Sequence, residues 1–565
     1  MPVLKYDPVL IACFSPSLCL YMQAKHKFWQ LSFWSQTWAL TPVKQRRTFV
    51  ILILVHVLLT AWYNSKQGVF FDEPDYFNYT YRWAKGDPSR FAPIMDSKTP
   101  MMFFSLVPGI IKPLLPEYLL AQDVFFYLKA GRPFMYIYAM LAAFIVFCWV
   151  GRIVGPKKWV LLLLLFCFDP LVFAYGMVIG SDLASAALLV TCMYTAWRFS
   201  VTENQRYWWL LSIAAALAIV TKASMIYLYP LLLFLFGYRY YLARSLSLKR
   251  TLLQLLVFIV IQLLVINAAY YGKGIFTSFG AIHFTSKLFS DLQASLNFFA
   301  GWPVPLPAAF VQGLDMLQQH AEYGGCKPDS TYGGVWIFNK VYCNTSVWYY
   351  YIATALFKFP LLIWLLIFAT IARFFQQKTK LQVINENVFL WLPVIYFLCI
   401  LSFANKFQIG LRHAMILMPF LYIGISSTVI TLVERYKPVF FGLILLHLIS
   451  VVRYLPNLIA YTNELVWNKT MAYKIVKDSS LDYGQSDPWV KTFIEKNPEY
   501  KIPGNIPATG KFAIPVNKLF AEHEGPQKNI AWLRENFEPV ANYRYTILLF
   551  EVTAADLKAK GLPTP

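Results

Sequence analysis

Charge is scarce in this chain. Only 14% of its 565 residues are Asp, Glu, Lys or Arg, against roughly 25% in soluble domains. Acid is the scarcer sign, with 29 Asp and Glu facing 50 Lys and Arg. No Gly-x-Gly-x-x-Gly or Walker-type loop is present, which argues against nucleotide binding. No compact His/Cys cluster is present either, so no metal is predicted. A divalent ion would lack an obvious ligand set, and His413 has no histidine near it in sequence. No small-residue cleavage site follows the apolar patch VLIACFSPSLCLYM near the N-terminus, so a cleaved signal peptide has little support.

What is plentiful is apolar surface. Hydrophobic residues make up 58% of the chain and aromatics 18%. Apolar runs near twenty residues recur, and each has the length to span a bilayer. A water-soluble fold could not hide so many. Spans are predicted near 49–66, 132–150, 157–176, 183–199, 207–222, 225–240, 252–272, 348–372, 387–404, 413–433 and 437–455. The expected fold is therefore an α-helical polytopic membrane protein of about eleven transmembrane helices, with a small α/β C-terminal domain.

The net charge of +21 reads as topology. Arg46, Arg47, Arg152, Lys157, Lys158, Lys249, Arg250, Arg373, Lys378, Arg435 and Lys437 all fall in alternate loops. They share one side if the N-terminus is cytoplasmic, as the Lys/Arg bias requires. Three regions follow: a cytoplasmic leader at 1–48, a transmembrane unit at 49–455 with outer loops 67–131 and 273–347, and an outer C-terminal domain at 456–565. Cys326 and Cys343 fall on the outer side, where a disulfide persists. Trp489, Phe512, Trp532 and Phe537 are core candidates for the tail.

The residues suited to chemistry gather on that outer side. The stretch GVFFDEPDYF places Asp72 and Glu73 among aromatics. An apolar shell and a like-charged neighbour both raise a carboxylate's proton affinity, which suits a general base. The bland alternative is a cap on a loop helix. Arg132, Lys222, Lys358 and the adjacent pair Arg412 and His413 belong to four separate spans, and Asp182 opens another. Snorkelling explains any one such cation. As a set beside a carboxylate, they suit a lipid-phosphate donor, whose phosphate the cations hold as it leaves.

Several motifs carry a resemblance. These are VFFDEPDYF, FDPLVFAYGMVIGSDLA (Phe168 to Ala184), YYYIATALFKFPL (Tyr349 to Leu361), GLRHAMILMPFLYI, and the run from Asn463 to Ile494 that includes DSSLDYGQ. From about residue 49 onward the chain resembles bacterial members of the dolichyl-phosphate-mannose protein mannosyltransferase family, integral membrane enzymes of the GT-C class and similar to glycosyltransferase family 39. Tyr483 stands where that family has Trp, and Lys98-Thr99-Pro100 stands where eukaryotic members have His-Pro-Pro. The central lectin-like repeat domain of those members has no counterpart.

The resemblance implies a polyprenyl-phosphate-linked sugar as donor, mannose or similar, and an active site outside the cytoplasm of the inner (plasma) membrane. It implies inversion at the sugar carbon, with Asp72 as base and Glu73 beside it. The donor contacts would come from Arg132, Asp182, Lys222, Lys358, Arg412 and His413. The acceptor is a hydroxyl on a protein or glycolipid, and no nucleic acid is expected. The competing readings are a transporter or flippase for a lipid-linked or anionic substrate, and a non-catalytic scaffold. A transporter usually shows two-half symmetry and midplane charges, and neither is visible in the sequence.

Overall fold

The structure is a computed structural model, and it describes residues 42–87, 104–110, 124–155, 160–243, 248–323, 334–455, 457–520 and 530–563. The longer helices are, in order, α1 (Val43–Ser65), α2 (Glu73–Ala84), α3 (Val124–Ile153), α4 (Val160–Cys167), α5 (Pro170–Tyr175), α6 (Ser181–Thr202), α7 (Gln205–Thr221), α8 (Leu228–Ala243), α9 (Leu248–Ala269), α10 (Lys287–Ser295), α11 (Ala308–Tyr323), α12 (Tyr350–Lys358), α13 (Leu361–Gln376), α14 (Lys380–Glu386), α15 (Val388–Cys399), α16 (Met418–Arg435), α17 (Lys437–Val452) and α18 (Asp487–Lys496). A hairpin of β1 (Val335–Ile337) and β2 (Lys340–Tyr342) precedes α12.

The expectation of eleven spans is overturned. Among the described residues, four helical stretches are long and apolar enough to cross a membrane: Val43–Ser65, Phe126–Ile153, Lys249–Ala269 and Leu411–Arg435. Two bent pairs raise the count to six if each is one span. They are α12 with α13, bent by 120°, and α14 with Val388–Ala404, bent by 82°. The reason is backbone breaks inside apolar runs. Asp169 and Pro170 cut the run at 157–176 into two short helices. There the Asp169 carboxylate accepts from the N–H of Leu171 at 2.8 Å and of Val172 at 3.3 Å, satisfying a helix start that an unbroken span would not have. Phe359 is extended before Pro360 and splits 348–372. Lys222 is likewise extended and ends α7. Helix α17 has 16 residues, about 24 Å against a hydrocarbon core of about 30 Å.

Helix α6 is the central strut. Most of its side chains are buried, from Ser181 to Phe199. It packs on α3, α7 and the turn at Leu411–Leu417, and its ring of small residues (Ala184, Ser185, Ala186, Ala187) admits close helix approach.

The tail carries a four-stranded sheet in the order β3 (Tyr500–Lys501), β4 (Gly510–Pro515), β6 (Ile547–Val552), β5 (Ala541–Tyr543). Strands β4 and β6 are antiparallel, with Phe512 opposite Phe550. Alternation sends Phe512, Ile514, Leu548 and Phe550 to one core with Trp532 and Trp336. It sends Ala513, Ile547 and Leu549 to the other, with Trp489. Phe537 packs at the edge of the first. Trp336 belongs to the hairpin, so the 273–347 segment shares a core with the tail. Of the expected cysteine pair, Cys343 is disulfide-bonded, and Cys326 lies outside the described residues.

Candidate active site

Two distant stretches form the floor of the site. The backbone of Gly68 donates to Gln485 O at 3.1 Å, and that of Phe71 donates to Tyr483 O at 3.0 Å. Gly484 sits at φ +94°, with its missing Cβ 3.0 Å from Val69 O. A side chain there would push the two stretches apart, so glycine is required on both counts. The stretch at Ile409–Arg412 is held the same way. Ser479 Oγ donates to Ile409 O at 2.7 Å, and Leu411 N donates to Ser480 Oγ at 3.1 Å. Gly410 lies between them at φ +90°, against Ser479.

This arrangement aims Asp72. It sits at the N-cap of α2 yet makes no side-chain cap hydrogen bond. The Asp72 Oδ2 instead accepts from Arg412 Nη1 at 2.7 Å and from the Tyr483 hydroxyl at 2.5 Å. Arg412 also hydrogen-bonds the Tyr483 hydroxyl and lies 4.3 Å over its ring. Asp182 completes a chain of alternating charge. Lys222 Nζ is 2.6 Å from its Oδ1, and Arg412 Nη1 is 3.7 Å from its Oδ2. Tyr76 hydrogen-bonds Ser181 at 2.9 Å. Burial pushes the Tyr76 phenol above its usual value, and the nearby Asp72 and Asp182 add to that. It therefore holds its proton.

These groups face a cavity lined by Asp72, Tyr76, Asp182, Lys222, Arg412 and His413. Apolar Phe397, Leu401, Phe407 and Ile416 line it too, together with polar His320 and Asn405. Charged and apolar side chains lining one cavity suit an anionic amphiphile. Among the described residues, no group of three His, Cys, Asp or Glu stands close enough to hold a metal.

The remaining sequence candidates lie elsewhere. Glu73 is fully buried. It accepts from Arg132 at 2.9 and 2.5 Å, from Phe70 N at 3.0 Å and from Ile179 N at 3.1 Å. Arg132 also donates to Asn64 O at 3.1 Å and Gly68 O at 2.6 Å. The pair is a closed pin under the site and does not line the cavity. Lys358 donates to Ile459 O and Ser480 O, each at 2.6 Å, and ties α12 to the tail. Tyr483 is the contact that sequence reasoning missed. Its place in DSSLDYGQ marked a ring, and only the fold shows its hydroxyl on Asp72.

The fold and cavity define a multi-pass helical membrane protein with a cavity lined by both charged and apolar side chains. No family model matches the chain, and no curated protein matches it. Among solved structures it is similar to ArnT from Cupriavidus metallidurans bound to undecaprenyl phosphate, at 14% identity over 75% of this chain and 69% of that one, with a TM-score of 0.45. The apo state of the same protein gives 14% identity, 70% and 61% coverage, and a TM-score of 0.43. At such values neither likeness bears on what this chain does.

Proposed function

We propose that the chain is an inverting glycosyltransferase that moves a sugar, mannose or similar, from a polyprenyl-phosphate donor to a hydroxyl on a protein or glycolipid. The observation that carries this is the placement of Asp72. Its carboxylate leaves its own helix start uncapped and lines a cavity that both charged and apolar side chains share.

The donor's prenyl chain would lie along Phe397 and Ile416, and its phosphate at Arg412 and Lys222. The acceptor oxygen bonds to the sugar carbon from the face opposite the phosphate. Its proton passes to Asp72, the bond from sugar carbon to phosphate oxygen breaks, and the electron pair leaves with the phosphate. Cations fixed where that charge grows lower the barrier. A phosphate drawn to Arg412 and Lys222 also competes with Asp72 and Asp182 for them. Losing its cation makes Asp72 the stronger proton acceptor, so donor binding readies the base.

The test is purified protein with radiolabelled polyprenyl-phosphate mannose and a membrane extract as acceptor. Release of polyprenyl phosphate with formation of an α-mannoside from the β-linked donor is expected. An intact donor after prolonged incubation, with donor binding demonstrated, would sink the reading.

A further inference from the structure

A second pair of cations, Arg198 buried and Arg152 half-buried, stands at the far end of α6. Trp149 on α3 and Trp197 on α6 stack with ring centroids 5.5 Å apart, and Tyr194 packs against both. Arg198 lies 5.5 Å over Trp197 and 5.4 Å over Tyr207. It is only 7% exposed, and its Nε is buried without a hydrogen-bond partner. Arg152, in the last turn of α3, also has a buried Nε without a partner. Arg152 follows Trp149 by one helical turn and Arg198 adjoins Trp197, so the two arginines flank one pair of stacked rings.

Among the described residues neither arginine has a carboxylate. Glu386 lines a small adjoining cavity with Trp149, Trp197 and Asn387. Its carboxylate accepts from Gln382 at 2.8 Å and binds neither arginine. A helix dipole offsets a cation in the last turn by roughly 0.3–1 kcal/mol, which helps Arg152. Arg198 lies before the last turn of α6 and gains none of this. A buried guanidinium without an anion is expensive, and the stacked aromatic faces return only part of that.

We infer that Arg152 and Arg198 form a binding site for a phosphate group. It is distinct from the candidate active site, because sixteen helical residues separate Arg198 from Asp182, about 24 Å at 1.5 Å per residue. Helix α3 is long and apolar enough to cross a membrane and ends at Ile153, so Arg152 stands where lipid headgroups lie. The phosphate of an anionic lipid is the ligand this placement favours, and inorganic phosphate shares its chemistry. The site does not depend on the proposed glycosyl transfer.

The experiment uses the full chain in neutral detergent. Its Tm is read alone, with phosphatidylglycerol, with phosphatidylcholine, and with inorganic phosphate. The same is done for Arg198→Gln and Arg152→Gln. Phosphatidylglycerol should raise Tm by about 3–6 °C, phosphatidylcholine should not, and both variants should lose most of the gain. Without lipid, Arg198→Gln should melt at or above the wild-type temperature, since it removes an unpaired buried charge. A gain from inorganic phosphate alone, lost in the variants, supports the site and makes the free anion its source. An equal effect of the two lipids, or a gain that survives both substitutions, overturns it. So does a variant that melts several degrees lower without lipid, because Arg198 is then satisfied within the protein.

Discussion

Asp72 carries no cap, and that fact separates two roles for one carboxylate. A capping aspartate contributes roughly 0.5–2 kcal/mol of stability, and its loss would be felt in folding. Asp72 bonds Arg412 and Tyr483 instead. Tyr483→Phe tests the second bond. It keeps the ring under Arg412 and removes the hydroxyl, so transfer should fall about five- to tenfold, as expected for one lost hydrogen bond, with donor affinity little changed. A kcat equal to wild type would remove the hydroxyl from the mechanism. Asp482, two residues from Gly484, gives a pH prediction. Burial raises its carboxyl to about 7, although Asn517 N, Ser486 Oγ and Gly484 N all donate to it. The folded protein thus keeps this proton up to about 7, while the unfolded chain releases it near the usual carboxylate value of about 3.9. Stability from this group is full below pH 4 and is lost as pH rises towards 7. Asp482→Asn should flatten that part of a Tm–pH profile, and an unchanged profile would contradict the assignment.

At the level of elements, the site depends on breaks that apolarity hides. Asp72, Asp182, Lys222, Arg412 and His413 were legible from sequence because ionisable residues beside apolar runs are rare and costly. That Arg132 and Glu73 consume each other was not legible, because spacing says nothing about which carboxylate an arginine reaches. Neither was the number of crossings. Asp169-Pro170 and Phe359-Pro360 leave a hydropathy average almost untouched while they cut or bend the helix. The Glu73–Arg132 pin predicts its own cost. Arg132→Gln strands a buried carboxylate and should destabilise by about 3–5 kcal/mol, visible as a large Tm loss. A Tm within a degree or two of wild type would mean that the pin is dispensable. In the tail, Trp489, Phe512 and Trp532 were readable as core residues, but not that the sheet divides them, with Phe512 and Trp532 in one core and Trp489 in the other. The proposed bridge of Cys343 to Cys326 is checked by peptide mapping without reductant. Recovery of Cys326 as an alkylated thiol would exclude it.

Across the whole molecule, the tail and the bundle act as one body at the site. Gln485 donates to Asn457 at 3.0 Å, Asn457 donates to Thr546 at 3.0 Å, and Trp489 donates to Lys66 O at 3.0 Å. Through these bonds the sheet holds Tyr483 against Asp72, although about 400 residues of chain separate them. The account's central claim is that Asp72 takes the acceptor's proton. It is tested most directly by single-turnover transfer from radiolabelled polyprenyl-phosphate mannose with purified Asp72→Asn enzyme. Asn retains the size and the hydrogen-bonding carbonyl but cannot accept the proton. The account predicts folded enzyme, retained donor binding and a transfer rate lower by about 10²-fold or more. A folded Asp72→Asn enzyme that transfers sugar at near the wild-type rate would contradict it.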